Sequence, residues 1–265
     1  MQVRPRTLFN TPDIEAWPAW LCTARRNHDA RHLANARWLL RHKRDGRYLA
    51  AAGSEGTVGL APDWRQAADA IDTLDGAKDR PARDHRTTLP LHRLHHRLDL
   101  LGIDADRYAA TTGLPLQPEP MQLQLAGFDR YRRPLWLLHD AARAWQHMQA
   151  AALRDEVPLD AISGYRSHDY QLGIFERKRA RGLSVAEILT VNAAPGFSEH
   201  HGGCALDIGT PGEPPAEESF EATAAFAWLL ANAPAFGFHL SYPRDNPHGI
   251  VYEPWHWCWR ATPLS

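Results

Sequence analysis

The sequence predicts an α+β fold in which a small antiparallel sheet is flanked by helices, with a smaller N-terminal accessory region ahead of it. Three observations carry that expectation. Helix-like and strand-like stretches are mixed without the regular alternation of a doubly wound sheet. The strand candidates are short and bounded by turn residues. Two polar, proline-punctuated breaks, AKDRPARDHRTTLP at 77–90 and TTGLPLQPEP at 111–120, set the first part of the chain apart from the rest. The boundary is placed at 118/119, which makes 1–118 an accessory region with no assigned role and 119–265 the main domain.

Bulk properties exclude more than they assign. With 265 residues and 44% hydrophobic content, the chain can bury one large core or two modest ones. A formal net charge of -1 offers no general attraction for nucleic acid or anionic lipid, so neither is an expected partner. The opening MQVRPRTLFNTPDIEAW places prolines and charges where a secretory signal needs an apolar run, and no later run is long enough to span a bilayer. The expectation is a cytoplasmic protein with no membrane insertion, the alternative being a periplasmic or extracellular one exported by another route. Cys22, Cys204 and Cys258 form no spaced framework and are read as reduced thiols.

Along the accessory region, DIEAWPAWLCTARRNHDARHLANARWLLRH reads as helical, with Trp17, Trp20, Leu21 and Ala24 at helical spacing. KRDGRYLAAAG reads as a strand pair turning at Asp45-Gly46, and DWRQAADAIDTLDG as a helix ended by Gly76. LHRLHHRLDLLGID returns to helical periodicity. In the main domain, PLWLLHDAARAWQHMQAAALRDE predicts a long helix with Pro134 in its first turn and a stripe of Leu135, Leu138, Ala142, Trp145 and Met148 facing a sheet. LDAISGYR predicts a strand, Ser167 caps the helix after it, and Ser184 to Glu187 has capping-box spacing. CALDIGT predicts a strand, FEATAAFAWLLANA a helix and IVYEPWHWCWR a final strand.

The chemistry is concentrated in SEHHGGCALD at 198–207 and EPWHW at 253–257. Together they offer two imidazoles and a carboxylate, the three-ligand set of hydrolytic zinc sites that keep a fourth position open for water. His200, Asp207 and His256 fill that set. Glu253 is left over for proton transfer between water and a leaving amine. In SGYRS, Arg166 and its hydroxyl neighbours Tyr165 and Ser167 follow a strand. There the arginine suits either a substrate's terminal carboxylate or the oxyanion that forms on attack.

The pattern SxHxxGxAxD followed by ExWH, preceded by SGYRS and Gln171, resembles the VanY-type D-alanyl-D-alanine carboxypeptidases of the LAS group of zinc peptidases. The likeness runs from about residue 125 to the end and includes Tyr242-Pro243. It implies a LAS-type, Hedgehog-like α+β fold and Zn2+ on His200, Asp207 and His256. It further implies Glu253 as general base. Beside it, Arg166 is expected to be catalytic and Tyr165, Ser167, Gln171 and Ser198 to bind substrate. The implied partner is a peptidoglycan stem peptide or its precursor, cut at the terminal D-Ala bond.

Competing readings stay open. His201 neighbours the first ligand and competes with it for the ion. His28 with His32, and His92 with His95 and His96, are spaced for a second site but read as solvated helix faces. Cys204 and Cys258 read as packing, with a mutual disulfide next. Arg166 could be an ordinary ion-pair partner. Ser163 and Ser198 lack the surroundings of a serine nucleophile. Beyond the carboxypeptidase stand an endopeptidase acting inside the stem peptide and a non-catalytic zinc-containing wall-binding module.

Overall fold

The computed structural model describes residues 4–24, 27–77 and 87–261. The side chains of His28 and His92, and residues 78–86 of the expected 77–90 connection, lie outside what is described. Two compact units result, one from residues up to Leu89 with Pro120–Leu125, the other from Pro90–Glu119 and Ala126 onward. The expected boundary at 118/119 therefore does not coincide with this division. Residues 90–119 group with the C-terminal unit because Leu94, Leu98, Ile103 and Leu114 share one buried cluster with Phe175, Phe197, Tyr242 and Ile250.

In the first unit, strands β1 (Thr7–Asn10), β2 (Ile14–Pro18), β3 (Trp38–His42), β4 (Tyr48–Gly53) and β5 (Gly56–Gly59) follow one another as antiparallel neighbours. The start of β6 (Gln122–Phe128) adds to β1, with Leu8 opposite Leu123. Helices α1 (Asn27–Asn35) and α2 (Ala68–Ala77) complete the unit. Leu74 and Ala70 of α2 close a core of Ile14, Leu40 and Leu49. The expected strand pair at Asp45-Gly46 is β3–β4. The helical reading of 13–42 is corrected: among the described residues the α-helix there is confined to Asn27–Asn35, a single 3-10 turn forms at Ala19–Leu21, and Trp17 lies in β2. Backbone pairing of β2 with both β1 and β3 outweighs the local helical spacing, and Pro18 takes the strand's last position, where a missing N–H costs little.

The second unit holds α3 (His92–Leu100), α4 (Ala105–Thr112), β7 (Pro134–Leu137), α5 (His139–Arg154), β8 (Asp160–Ser163), α6 (His168–Ala180) and α7 (Val185–Leu189), then β9 (Ala205–Gly209), α8 (Ala224–Asn232), β10 (Phe238–Leu240) and β11 (His256–Trp259). A four-stranded antiparallel sheet runs β10-β11-β9-β8. The face of α5 carrying Ala142, Trp145 and Met148 packs in one core cluster with Leu206, Ile208 and Trp257 of this sheet.

The expected helix start at Pro134 is corrected. Pro134–Leu137 is a strand and the helix begins at His139. Four consecutive apolar residues do not separate a buried strand from a buried helical turn, and Pro suits the first strand residue as well as the first helical one. The last strand is likewise shorter than IVYEPWHWCWR: Glu253 to Trp255 form a turn closed by His256 N–H donating to Glu253 O at 3.1 Å. Both expected caps are present. Ser167 Oγ accepts from Tyr170 N–H, and Ser184 with Glu187 forms a capping box. Among the described residues no helix is long and apolar enough to cross a membrane.

Candidate active site

Two strands and one turn assemble the site. His256 at the start of β11 lies directly opposite Asp207 of β9, so both side chains leave the sheet on the same face. The third group comes from the short helical turn Glu199–Gly202, which ends in left-handed Gly203 at φ 70 and leads into β9. His200, Asp207 and His256 are all buried, and their ligand atoms lie within 4.8 Å of one another.

Their hydrogen bonds determine which lone pairs face inward. His200 Nδ1–H donates to Gly164 O at 2.7 Å, which leaves Nε2 as the acceptor nitrogen. That Nε2 is buried, has no hydrogen-bond partner, and faces Asp207 Oδ1 at 3.3 Å. A lone pair set against a carboxylate is unfavourable until a cation enters between them. His256 Nε2–H donates to Glu199 Oε2 at 2.9 Å, and its Nδ1 lies 3.3 Å from the same Asp207 Oδ1. Donor separations of this size match the edge of a tetrahedron with bonds of about 2.0–2.1 Å. Two nitrogens, one carboxylate and an orphaned inward lone pair therefore fit a zinc ion.

Electrostatics agree with a cation site. Burial alone would depress His256, but hydrogen bonds and charge from Asp207 and Glu199 raise it to about 10. Burial opposes ionisation of Asp207, yet the imidazoles and Arg166 hold it well below the carboxylate range. Burial, helped by Arg166, pushes His200 down to about 4, so it is the neutral ligand form. Glu253 reaches to 3.8 Å from His256 Nδ1, and burial pushes its carboxyl up to about 7. Arg166 places Nη2 at 3.9 Å from Asp207 Oδ2.

A cavity of about 30 Å3 adjoins the centre, and its lining includes Arg166, Gln171, Ser198, Glu253, His200 and His256. Gln171 is buried, donates from Nε2 to Ala193 O, and keeps Oε1 without a partner. Tyr165 and Ser167 are not among the lining residues. The Tyr165 hydroxyl donates to Glu119 Oε2 at 2.9 Å, and Ser167 Oγ is occupied in capping α6.

The rival ligand His201 is turned away. Its Nδ1–H donates to Arg166 O at 2.6 Å and its Nε2 accepts from Gly196 N–H at 3.1 Å, which uses both nitrogens. No second metal cluster occurs among the described residues. Cys22, Cys204 and Cys258 are free thiols, and burial raises all three well above the ordinary range. Sequence reasoning missed Glu199, which orients His256 and is itself held at about 2 by that hydrogen bond against the effect of burial. Its signal was weak, since an acid beside a histidine reads as an ordinary surface residue.

Comparison with known proteins finds relatives of the segment that carries these residues. The family model described as VanY, D-alanyl-D-alanine carboxypeptidase, matches residues 135–262. The bifunctional D-Ala-D-Ala dipeptidase and carboxypeptidase VanXYC of Enterococcus gallinarum is 30% identical over 154 residues, covering 56% of this chain and 78% of that protein. YodJ of Bacillus subtilis is 35% identical over 152 residues, covering 54% of this chain and 55% of YodJ, so the chain spans about half the length of that relative. Among solved structures, VanYB in complex with D-alanine-D-alanine is 30% identical over 48% of this chain and 74% of that one, with a TM-score of 0.41. Taken with the family match over 135–262, the identity to VanXYC across most of its length establishes that the chain belongs to the VanY family of D-alanyl-D-alanine carboxypeptidases.

Proposed function

We propose that this protein is a zinc carboxypeptidase that removes the terminal D-alanine from peptidoglycan stem peptides or their precursors. The observation that carries the reading is the buried, unpartnered Nε2 of His200 set against Asp207 and backed by His256 Nδ1, with Glu253 alongside. His200, Asp207 and His256 would hold the zinc, which when bound polarises a carbonyl oxygen and makes water acidic enough to ionise near neutral pH.

The chain's own residues account for the remaining steps. Glu253 lies at the metal-binding set, with Oε2 3.8 Å from His256 Nδ1, so its carboxylate takes the proton from the attacking water and returns it to the leaving amine. Arg166 carries its charge to the metal end of the cavity, beside Asp207, which supports the oxyanion role over capture of a distant carboxylate. Gln171 Oε1 and Ser198 line the same cavity and supply hydrogen bonds to the peptide. Tyr165 and Ser167 act on the loop rather than on the substrate.

Mass spectrometry of tetra- and pentapeptide stems incubated with zinc-loaded protein tests this. Loss of one terminal D-alanine is the expected product. Equal cleavage of C-terminally amidated peptides would replace the carboxypeptidase with an endopeptidase, and no cleavage of any stem would leave a non-catalytic wall-binding module.

A further inference from the structure

The loop from Gly164 to Ser167 carries Arg166 and is held from two sides. On the metal side three hydrogen bonds stitch it to the turn bearing the first ligand: His200 Nδ1–H to Gly164 O, Arg166 N–H to His200 O at 3.3 Å, and His201 Nδ1–H to Arg166 O. On the other side stands Glu119, a carboxylate only 4% exposed, outside the segment matched by the family model. Its Oε2 accepts from the Tyr165 hydroxyl at 2.9 Å and its Oε1 from His168 N–H at 2.6 Å. These two donors flank Arg166 in sequence. The His168 ring also packs edge-on against His201, their centroids 4.5 Å apart, so the two clamps touch each other.

We infer that Glu119 is a positioning residue for Arg166: its buried carboxylate pins the residues on either side of the guanidinium-bearing position and thereby fixes where that charge sits in the cleft. The inference rests on the catalytic reading of Arg166 given above. A buried carboxylate is costly unless hydrogen-bonded, and here two of its bonds go to Tyr165 and His168, which bracket Arg166 and Ser167. The segment 90–119 that delivers it is anchored independently by Arg97 to Asp169 at 2.7 Å, Gln117 N–H to Gly196 O and His248 to Thr112 O. The catalytic unit of this chain therefore starts well before the residues that the family pattern recognises.

The test is a double-mutant cycle in the full-length chain, using Glu119→Gln and Glu119→Ala with and without Arg166→Ala. With Arg166 present, Glu119→Ala is expected to lower kcat/KM for a stem peptide about tenfold or more while bound zinc stays at one equivalent, and Glu119→Gln, which keeps one acceptor oxygen, to lose less. In the Arg166→Ala background the same change is expected to have little further effect, because a residue acting through Arg166 has nothing left to position. Additive losses would overturn the inference and leave Glu119 a general stabiliser. Amide hydrogen exchange supplies a readout that does not depend on turnover. Faster exchange confined to 165–168 in Glu119→Gln is expected, and unchanged protection there overturns the inference even if the wild-type protein cleaves no stem peptide.

Discussion

His256 and Asp207 face each other across adjacent antiparallel strands, and Asp207 Oδ1 lies 3.3 Å from both His256 Nδ1 and His200 Nε2. One carboxylate oxygen is thus the shared corner of the metal-binding set, and a metal ion there competes with protons for the lone pairs of the two nitrogens around it.

That competition gives a pH dependence. Without metal, His256 is raised to about 10 and is protonated at neutral pH; zinc needs its Nδ1 bare, so binding expels a proton. Apparent zinc affinity is expected to rise about tenfold per pH unit from neutrality towards 10. Calorimetry in buffers of different ionisation enthalpy should register at least one proton released near pH 7, that of His256 with any from Glu253 and bound water added to it, and a release of zero would contradict the assignment of Nδ1. The same coupling makes metal removal destabilising. Chelation should lower Tm and added zinc restore it, by about 2.7 kcal/mol at a hundredfold excess over Kd.

Glu199 tests the support of the second histidine. Glu199→Gln leaves the three donors in place but weakens the acceptor that orients His256. Zinc affinity measured against a competing chelator is expected to fall about 10- to 100-fold, and an unchanged constant would remove Glu199 from the site.

Glu253 separates chemistry from metal binding. Glu253→Gln should reduce kcat by about 10²- to 10⁴-fold with zinc still bound. In the wild type only the carboxylate accepts a proton, so kcat/KM rises with pH through the Glu253 pKa. Burial places that pKa at about 7 and a bound cation draws it back towards the ordinary 4.5, so the acid limb belongs between these values. A profile flat across that interval would show that another group moves the proton.

Gly164 is a packing prediction. A Cβ there would lie 2.7 Å from Leu135 Cδ1 and 3.1 Å from Trp136 O, and the second contact is with backbone that cannot step aside. Gly164→Ala should cost about 1–3 kcal/mol in denaturant unfolding. It should also weaken zinc binding, since Gly164 O orients His200.

The metal-binding residues were legible because ligand chemistry demands specific residue types, and the capping serines because a cap is a local hydrogen bond. Glu199 and Glu119 were not, since each acts through a residue distant in sequence: His256 for one, Tyr165 and His168 for the other. Tyr165 and Ser167 looked like substrate hydroxyls from their place beside Arg166; in the structure the Tyr165 hydroxyl donates to Glu119 and Ser167 Oγ accepts from Tyr170 N–H. Ile14–Pro18, Trp38–His42 and Pro134–Leu137 were read as helix because local spacing says nothing about which strand waits alongside. Grouping of 90–119 with the C-terminal unit depends on apolar contacts such as Leu98 in the cluster of Phe197, which no linear pattern announces.

On β11, His256 points to the centre while its neighbour Trp257, 2% exposed, fills the core on the opposite side of the sheet. Shifting this strand by a single residue would exchange the two, stranding an imidazole in the apolar interior and an indole where the ion belongs. Natural length variation should therefore accumulate in the loop after Gly209, where added residues leave the pairing untouched, while even one inserted residue inside Ala205–Gly209 or His256–Trp259 ends both folding and metal capture.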